Sequence, residues 1–258
     1  MNRIRRAMGM GHSDSSFNGA NGGHAAEIKV LSADVLTQVL TNLVAEFEHR
    51  TKHKVALILT TTGAVKNRVQ AGEIADIAIM QRPSINELSH QGVIVANSIV
   101  DLGHSSVGVG VCPGAARPDL TSVEGFKRSL LAAKLIGYTD PKNGGGSGVY
   151  FGKLIERLGL SEQMKAKTRY PRPGHSAADL IAEGEVDFGI AQPMEILTKP
   201  EIELAGKLPP ELQNPGLFIF SAGILHNAKE PDVAKALIQF LSGPAAAATI
   251  KANGMNPG

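Results

Sequence analysis

The chain carries one structural phrase twice. Gly72-Glu73-Ile74-Ala75-Asp76-Ile77-Ala78-Ile79 and Gly184-Glu185-Val186-Asp187-Phe188-Gly189-Ile190 each read as a helix end, a Gly-Glu turn, an Asp and a short apolar strand. Lys66 to Gly72 and Ala177 to Gly184, which lead into the two copies, have helical character. Glycine ends such a helix because it tolerates the left-handed conformation there. Each strand is apolar on successive residues, as a parallel strand covered on both faces requires. Two such units about 110 positions apart predict two similar α/β lobes. A cleft between lobes is the usual seat of a small ligand.

The rest of the chain alternates in the same way. Strands are expected at Ile28 to Leu31, Lys54 to Thr60 and Asp76 to Met80. Between them, a helix opens at Ser32-Ala33-Asp34 and a second runs from Ala64 to Ala71; a third follows Gln81-Arg82-Pro83-Ser84. A second series places strands at Lys134 to Tyr138, Thr168 to Tyr170 and Asp187 to Ala191, with a helix from Val149 to Leu158. Val107 to Val111 is a strand between the two series, followed by a helix from Val123 to Ala133. Leu217 to Leu225 then forms a strand, and helices cover Val233 to Leu241 and Pro244 to Lys251. The expected class is α/β, with each lobe a mainly parallel sheet flanked by helices. The leftover strand and helices return the chain to the first lobe. The division is 27–105 plus 216–258 for lobe 1 and 106–215 for lobe 2, with crossings near Ser105 and Pro215.

Composition narrows the function. Net charge is +2 over 258 residues, and no basic stripe follows a helix, so nucleic-acid binding is not supported. No apolar run reaches the roughly 18 residues that a membrane span needs. The single cysteine, Cys112, excludes an internal disulfide and a cysteine zinc site, and reads as a small buried hydrophobe. Aromatic residues make up 4% and Trp is absent, which argues against base or sugar stacking and favours recognition by amides and hydroxyls.

Residues 1–26 differ in character. Gly9 to Ala26 is rich in Gly, Ser, Asn and His, and is expected to be disordered. Arg3, Arg5 and Arg6 resemble the start of a secretory signal, yet the apolar middle is absent. His24-Ala25-Ala26 has the small residues of a cleavage site. An appended leader, a misassigned start and a cytoplasmic version of an exported fold all remain open. His12 and His24 are too sparse for a metal site.

Ligands of open α/β sheets sit beyond the carboxyl ends of the strands. Those ends hold Ser32, Thr61 with Thr62, the run Gly144 to Gly148 with Tyr150, His175 with Ser176, and Gln192. Hydroxyls and glycines at helix starts present free N–H groups to an anion. Ser32, Thr62 and Ser176 read equally as plain helix caps. Gly144-Gly145-Gly146-Ser147-Gly148 matches neither a Walker loop nor a dinucleotide fingerprint. It is read as a backbone cradle or as a flexible loop.

Ile28 to Ala33, Phe47-Glu48, Thr61-Thr62-Gly63, Gly72 to Ile79, Ser147-Gly148-Val149-Tyr150, Gly184 to Ile190 and Ala236 to Pro244 resemble the periplasmic molybdate-binding-protein family. The resemblance spans about Glu27 to Pro257. It implies a two-lobed type II periplasmic-binding fold with two crossings, no cofactor and no metal, and an anion in the cleft. It also implies a monomer in the periplasm that delivers its ligand to an ABC-type transporter permease. Carried over residue by residue, Ser32 and Thr62 match the first-lobe contacts, and Ser147 or Gly148 with Ser176 lie where the second lobe contributes; Thr61, Gly146, Tyr150 and Gln192 are candidates from their place at the strand ends. The family's molybdate binders usually have a Tyr where this chain has Gln192-Pro193. Gly137 to Asp140, Ser147 to Tyr150, Leu208 to Gln213 and Ser221 to Ile224 look closer to a branch containing aconitate isomerase. In that alternative, His175 is the candidate base, with Tyr138 and Tyr150 next. Arg82 and Arg172 would suit a carboxylate ligand through two-pronged contacts.

Overall fold

The structure, a computed structural model, describes residues 25–143 and 146–258. The expectations for residues 1–24, including His12 and His24, and for Gly144 and Gly145 lie outside them. In chain order the first half comprises β1 (Glu27–Ala33), α1 (Thr37–Thr51), β2 (Lys54–Thr60), α2 (Thr62–Gln70), β3 (Ile77–Gln81), α3 (Arg82–His90), β4 (Val100–His104), β5 (Gly108–Val111), α4 (Val123–Ala132) and β6 (Ile136–Tyr138). The second half comprises α5 (Gly146–Arg157), α6 (Ser161–Lys165), β7 (Thr168–Arg169), α7 (Ala177–Ala182), β8 (Phe188–Ala191), α8 (Pro193–Ile196), β9 (Glu203–Lys207), β10 (Ile219–Ile224), α9 (Pro231–Ser242), α10 (Pro244–Ala252) and β11 (Asn256–Pro257).

Two sheets result. One has the order β11-β4-β10-β3-β1-β2 and the other β7-β6-β8-β5-β9. They are copies of one plan. β1 lies between β2 and β3 in parallel, as β6 lies between β7 and β8. In each sheet one antiparallel strand then intervenes: β10 separates β3 from β4, and β5 separates β8 from β9. Most strands therefore share a direction, but the ladders beside β10 and β5 are antiparallel. Both of these strands enter from the other sheet rather than through a helical crossover, so no crossover rule fixes their direction.

The repeated phrase explains the copies. Gly72 and Gly184 have φ of 83° and 70°. Gly72 N donates to Val69 O and Glu73 N to Arg68 O; Gly184 N donates to Ile181 O and Glu185 N to Leu180 O. Both are the same helix-stop motif. Each Asp then ties its strand to the neighbouring one. Asp76 Oδ2 accepts from Lys29 N at 2.8 Å, while its Oδ1 accepts from Lys229 N at 2.7 Å and Glu230 N at 2.9 Å. Asp187 Oδ2 accepts from Lys134 N at 2.5 Å and Leu135 N at 3.1 Å. The Asp residues therefore set strand register and are not ligand contacts.

Several local expectations shift. β1 stays paired through Ala33, opposite Thr60, so no helix opens at Ser32. A 3-10 turn over Asp34–Leu36 intervenes before α1. α3 starts directly at Arg82, with Pro83 in its first turn, where a missing N–H costs nothing. β4 and β9 were not anticipated, because Val100-Asp101-Leu102-Gly103-His104 and Glu203-Leu204-Ala205-Gly206-Lys207 mix charge and glycine into short alternations. Cys112 is half-buried, with Sγ 2.9 Å from Ile181 O.

Helices cover both faces of each sheet. α1, α9 and α10 pack on one face of the first sheet around Leu40, Phe47, Leu237 and Ile250, and α2 and α3 cover the other around Val65, Val69 and Leu88. α4 and α5 cover one face of the second sheet around Phe126 and Phe151, and α7 the other. No single helix among the described residues is long and apolar enough to cross a membrane. α9 and α10 together pass such a test but bend by 58°, and their apolar sides lie in the first sheet's core.

The chain passes between sheets after β4 and again before β10. The two passages are joined: Ser105 N donates to Phe218 O at 2.9 Å. Gln213 Oε1 accepts from Val107 N at 3.0 Å and its Nε2 donates to Val107 O at 2.9 Å.

Because Asp76 is 4% exposed and accepts three backbone N–H groups, Asp76→Ala is expected to cost about 3 kcal/mol in urea unfolding. Asp187 is exposed, and Asp187→Ala is expected to cost about 1 kcal/mol. Equal losses would disprove the idea that burial separates the two staples.

Candidate functional site

The carboxyl ends of β1, β2, β3, β6 and β8 open onto one cleft of about 780 Å³ between the sheets. The first lobe contributes Asp34, Thr37 and Gln38 from the turn into α1, Thr61 and Thr62 from the start of α2, and Gln81 from the end of β3. The second contributes Thr139, Gly146 and Ser147 around the start of α5, the loop Pro171 to Ser176, Asp179, and Gln192 to Lys199 around α8.

Of the residues expected at the site, Thr61, Thr62, Gly146, Ser147, Arg172, His175, Ser176 and Gln192 line this cleft. Ser32, Arg82, Gly148 and Tyr150 do not. Ser32 is fully buried within β1 between its two parallel neighbours, with its hydroxyl 3.3 Å from Ala33 O. Arg82 is held by Asp101 and by Asn86 at 3.0 Å. Gly148 is a packing position: a Cβ there would stand 2.1 Å from Thr139 O. Tyr150 donates its hydroxyl to Leu212 O at 2.8 Å, and its ring meets Phe218 edge-on. Tyr138 is also structural. Burial and its 3.2 Å contact with the Tyr170 hydroxyl push its pKa up, away from a base's range.

Several hydroxyls facing the cleft already have partners. Thr62 Oγ1 donates to Gln81 Oε1. Ser147 Oγ donates to Glu195 Oε1 at 3.5 Å. Ser176 gives both N–H, at 2.6 Å, and O–H, at 2.9 Å, to Asp179 Oδ2. Thr61 Oγ1 accepts from Ala64 N at 3.3 Å as the cap of α2. Arg172 reaches Glu183 at 2.9 Å, and His175 lies exposed at the rim, with Nδ1 3.4 Å from Pro173 O. Gln192 is 2% exposed, and its Oε1 has no partner among the described residues.

Three carboxyls line the cleft in different states. Burial alone would raise the Asp179 pKa, but its 2.5 Å contact with Lys199 and the two bonds from Ser176 outweigh this and hold it at about 2. Burial raises Asp34 above its usual value, although its side chain reaches solvent at the cleft mouth. Desolvation pushes Glu195 up to about 7, aided by the charge of Asp34 and only partly offset by Gln192 N at 3.2 Å and Ser147, although the residue is half-buried and keeps some contact with solvent in the cleft.

Sequence reasoning missed Gln81, Asp179, Glu195 and Lys199. Gln81 was within reach of the repeat: Asp76 and Asp187 are each followed five positions later by a glutamine, Gln81 and Gln192. Both stand at strand ends on the cleft. Glu195 had no signal, since its burial depends on the first lobe.

The depressed Asp179 pKa favours the folded state above the unfolded value of 3.8. That stability fades as pH falls through about 2. Asp179→Asn is therefore expected to cost about 2 kcal/mol at pH 7 and progressively less from pH 4 downward. Urea unfolding of both proteins across that range checks it, and a constant gap would contradict the linkage.

A family profile described as bacterial extracellular solute-binding protein matches residues 28–256. An aconitate isomerase from Pseudomonas sp is 30% identical over 198 residues, 76% of this chain and 73% of that protein. The molybdate-binding protein ModA of Azotobacter vinelandii is 26% identical over 236 residues, 89% of this chain and 90% of that protein. The solved periplasmic molybdate-binding protein of Azotobacter vinelandii shares the fold with a TM-score of 0.71 at 22% identity, covering 88% of this chain and 98% of that one. With two lobes, two crossings and a cleft at the strand ends, the chain belongs to the bacterial extracellular solute-binding protein family and has a type II periplasmic-binding fold.

Proposed function

We propose that this protein is the solute-binding component of an ABC-type importer, acting as a periplasmic monomer that holds a small anion between lobes 27–105 plus 216–258 and 106–215. A permease is the partner to which it delivers the ligand. The observation that carries the reading is the convergence of Thr61, Thr62, Gln81, Ser147 and Gln192 from both lobes on one polar cleft. Molybdate-binding relatives supply the anion class. A multiply charged carboxylate suits the cleft better than a bare tetrahedral oxyanion. Lys199, Arg172 and His175 along one wall match separated carboxylates, and 780 Å³ is ample for a tricarboxylate.

A thermal-shift screen of molybdate, tungstate, sulfate, phosphate, citrate and both aconitate isomers tests this, since a ligand that binds only the folded state raises the melting point. Titration calorimetry with the binder found should show Ser147→Ala and Gln192→Ala each weakening affinity by about 1–3 kcal/mol. Arg82→Ala and Tyr150→Phe should leave it unchanged. No shift with any of these anions would refute the anion reading.

A second reading, an enzyme resembling aconitate isomerase, is favoured by the 30% identical relative and by Glu195. A carboxyl in the cleft with a pKa of about 7 is poised to accept and return a proton. Glu195 replaces His175 as the leading base, because His175 lies at the exposed rim. Purified protein incubated with trans-aconitate, with the cis isomer followed by chromatography, separates the readings. Turnover lost in Glu195→Gln and kept in His175→Ala would establish the enzyme.

A further inference from the structure

Glu195 stands at the junction of the lobes. It belongs to α8, whose Met194 packs into the core of the first sheet, and Gly254 after α10 presses against Pro193 and Leu197. Its Oε1 takes only two bonds, both long: 3.2 Å from Gln192 N and 3.5 Å from Ser147 Oγ. No cation lies within ion-pair distance of it among the described residues. From the first lobe, Asp34 faces it with like charge. On the second, the Asp179–Lys199 pair, Arg172 with Glu183, and His175 lie along the cleft wall or rim; β9, packed under α8, carries Glu203, paired with Arg117, and Lys207. A second feature lies at the same place. Gln192 Oε1, three residues away and buried in the cleft wall, faces the Glu195 N–H at the start of α8 without making a hydrogen bond of good geometry; the same amide turned over presents its NH2 to an anion.

An anion placed in this cleft adds a negative charge beside a carboxylate that is already poorly compensated. Like charge favours the neutral form of Glu195. By linkage, the neutral form binds the anion more tightly. Protonation also frees a donor. Ionised Glu195 holds the Ser147 hydroxyl hydrogen, whereas the neutral carboxyl releases it to the ligand and itself becomes an O–H donor. We propose that anion binding in this cleft takes up a proton from solvent onto a Glu195 oxygen, making Glu195 the residue that ties ligand affinity to pH. This rests on the anion-binding reading above.

Calorimetric titration with trans-aconitate and with molybdate, between pH 6.5 and 8.5 and in buffers of different ionisation heat, measures both affinity and proton uptake. In the wild-type protein, affinity for whichever probe binds should fall as pH rises above about 7, approaching tenfold per pH unit. Proton uptake should approach one per ligand at the alkaline end. Glu195→Gln, a neutral group of the same shape, should bind at pH 8.5 at least as tightly as wild type, with no pH slope and no uptake. A flat wild-type profile, a slope that survives in Glu195→Gln, or a folded Glu195→Gln protein that no longer binds would each overturn the proposal. The carboxyl carbon-13 titration of Glu195 in the ligand-free protein, assigned by its loss in Glu195→Gln, is independent of any ligand. A midpoint near 7 supports the proposal, and one near the ordinary 4.5 overturns it. Failure of both probes to bind counts against the anion reading and leaves that titration to decide this one.

Discussion

The bond between a strand-mouth aspartate and the backbone of the neighbouring strand organises this molecule. Asp76 follows a left-handed glycine by four positions and Asp187 by three, and each accepts N–H groups from the start of the adjacent parallel strand. A carboxylate bound by backbone donors is a strong, directional contact. It sets the register between β3 and β1 and between β8 and β6. Register in a parallel pair decides which residue stands at the far end. In both lobes that residue is a glutamine, Gln81 or Gln192, five positions beyond the Asp. The staple at the bottom of each sheet thereby places an amide at the top of it, where the cleft lies.

From there the two lobes diverge, and the divergence sets the chemistry. Gln81 Oε1 takes the Thr62 hydroxyl and closes the first-lobe wall on itself. Gln192 is followed by Pro193 rather than by a long helix, and its Oε1 makes no hydrogen bond of good geometry. α8, only Pro193–Ile196, carries Glu195 against the first lobe. A site built only for a tetrahedral oxyanion has no use for a half-buried carboxyl in its wall, because an ionised one repels the ligand. Here desolvation and Asp34 bring the Glu195 pKa up to about 7, so near neutral pH the carboxyl takes up a proton readily and then serves as a donor rather than a barrier.

Much of the fold was legible because its determinants are local. β2 falls at Lys54–Thr60, as its aliphatic run predicts, and α4, α9 and α10 begin within two residues of their expected starts. The unreadable parts are those decided by partners far along the chain. Ser32 looks like a cap, yet it is paired on both sides, and β2 carries β1 on through Ala33. Arg82 looks like a free cation, yet Asp101 on β4, a strand too short and mixed to be seen, takes it. Tyr150 lies one helical turn from the cleft, yet its hydroxyl is used by Leu212 at the crossing between lobes. Polar residue type at a strand end marks where a site is, but only the distribution of partners tells which groups remain free to act.

The same reasoning locates the pivot. β5 and β10 are the two strands that arrive from the opposite lobe, and the segments leading into them are bound together by Ser105 N to Phe218 O and by the paired contacts of Gln213 with Val107. These three hydrogen bonds hold the two passages side by side, so a rotation of one lobe that kept them would turn about this pair. α8 follows β8, which pairs directly with β5, so Glu195 lies close to that axis, while His175 and Arg172 sit on the outer loop. Groups near an axis keep their neighbours when the lobes move, and groups at the rim exchange them. Glu195, Ser147 and Gln192 are thus held by neighbours from the body of the fold, whereas Arg172 and His175 stand on an exposed loop where Arg172 is paired with Glu183.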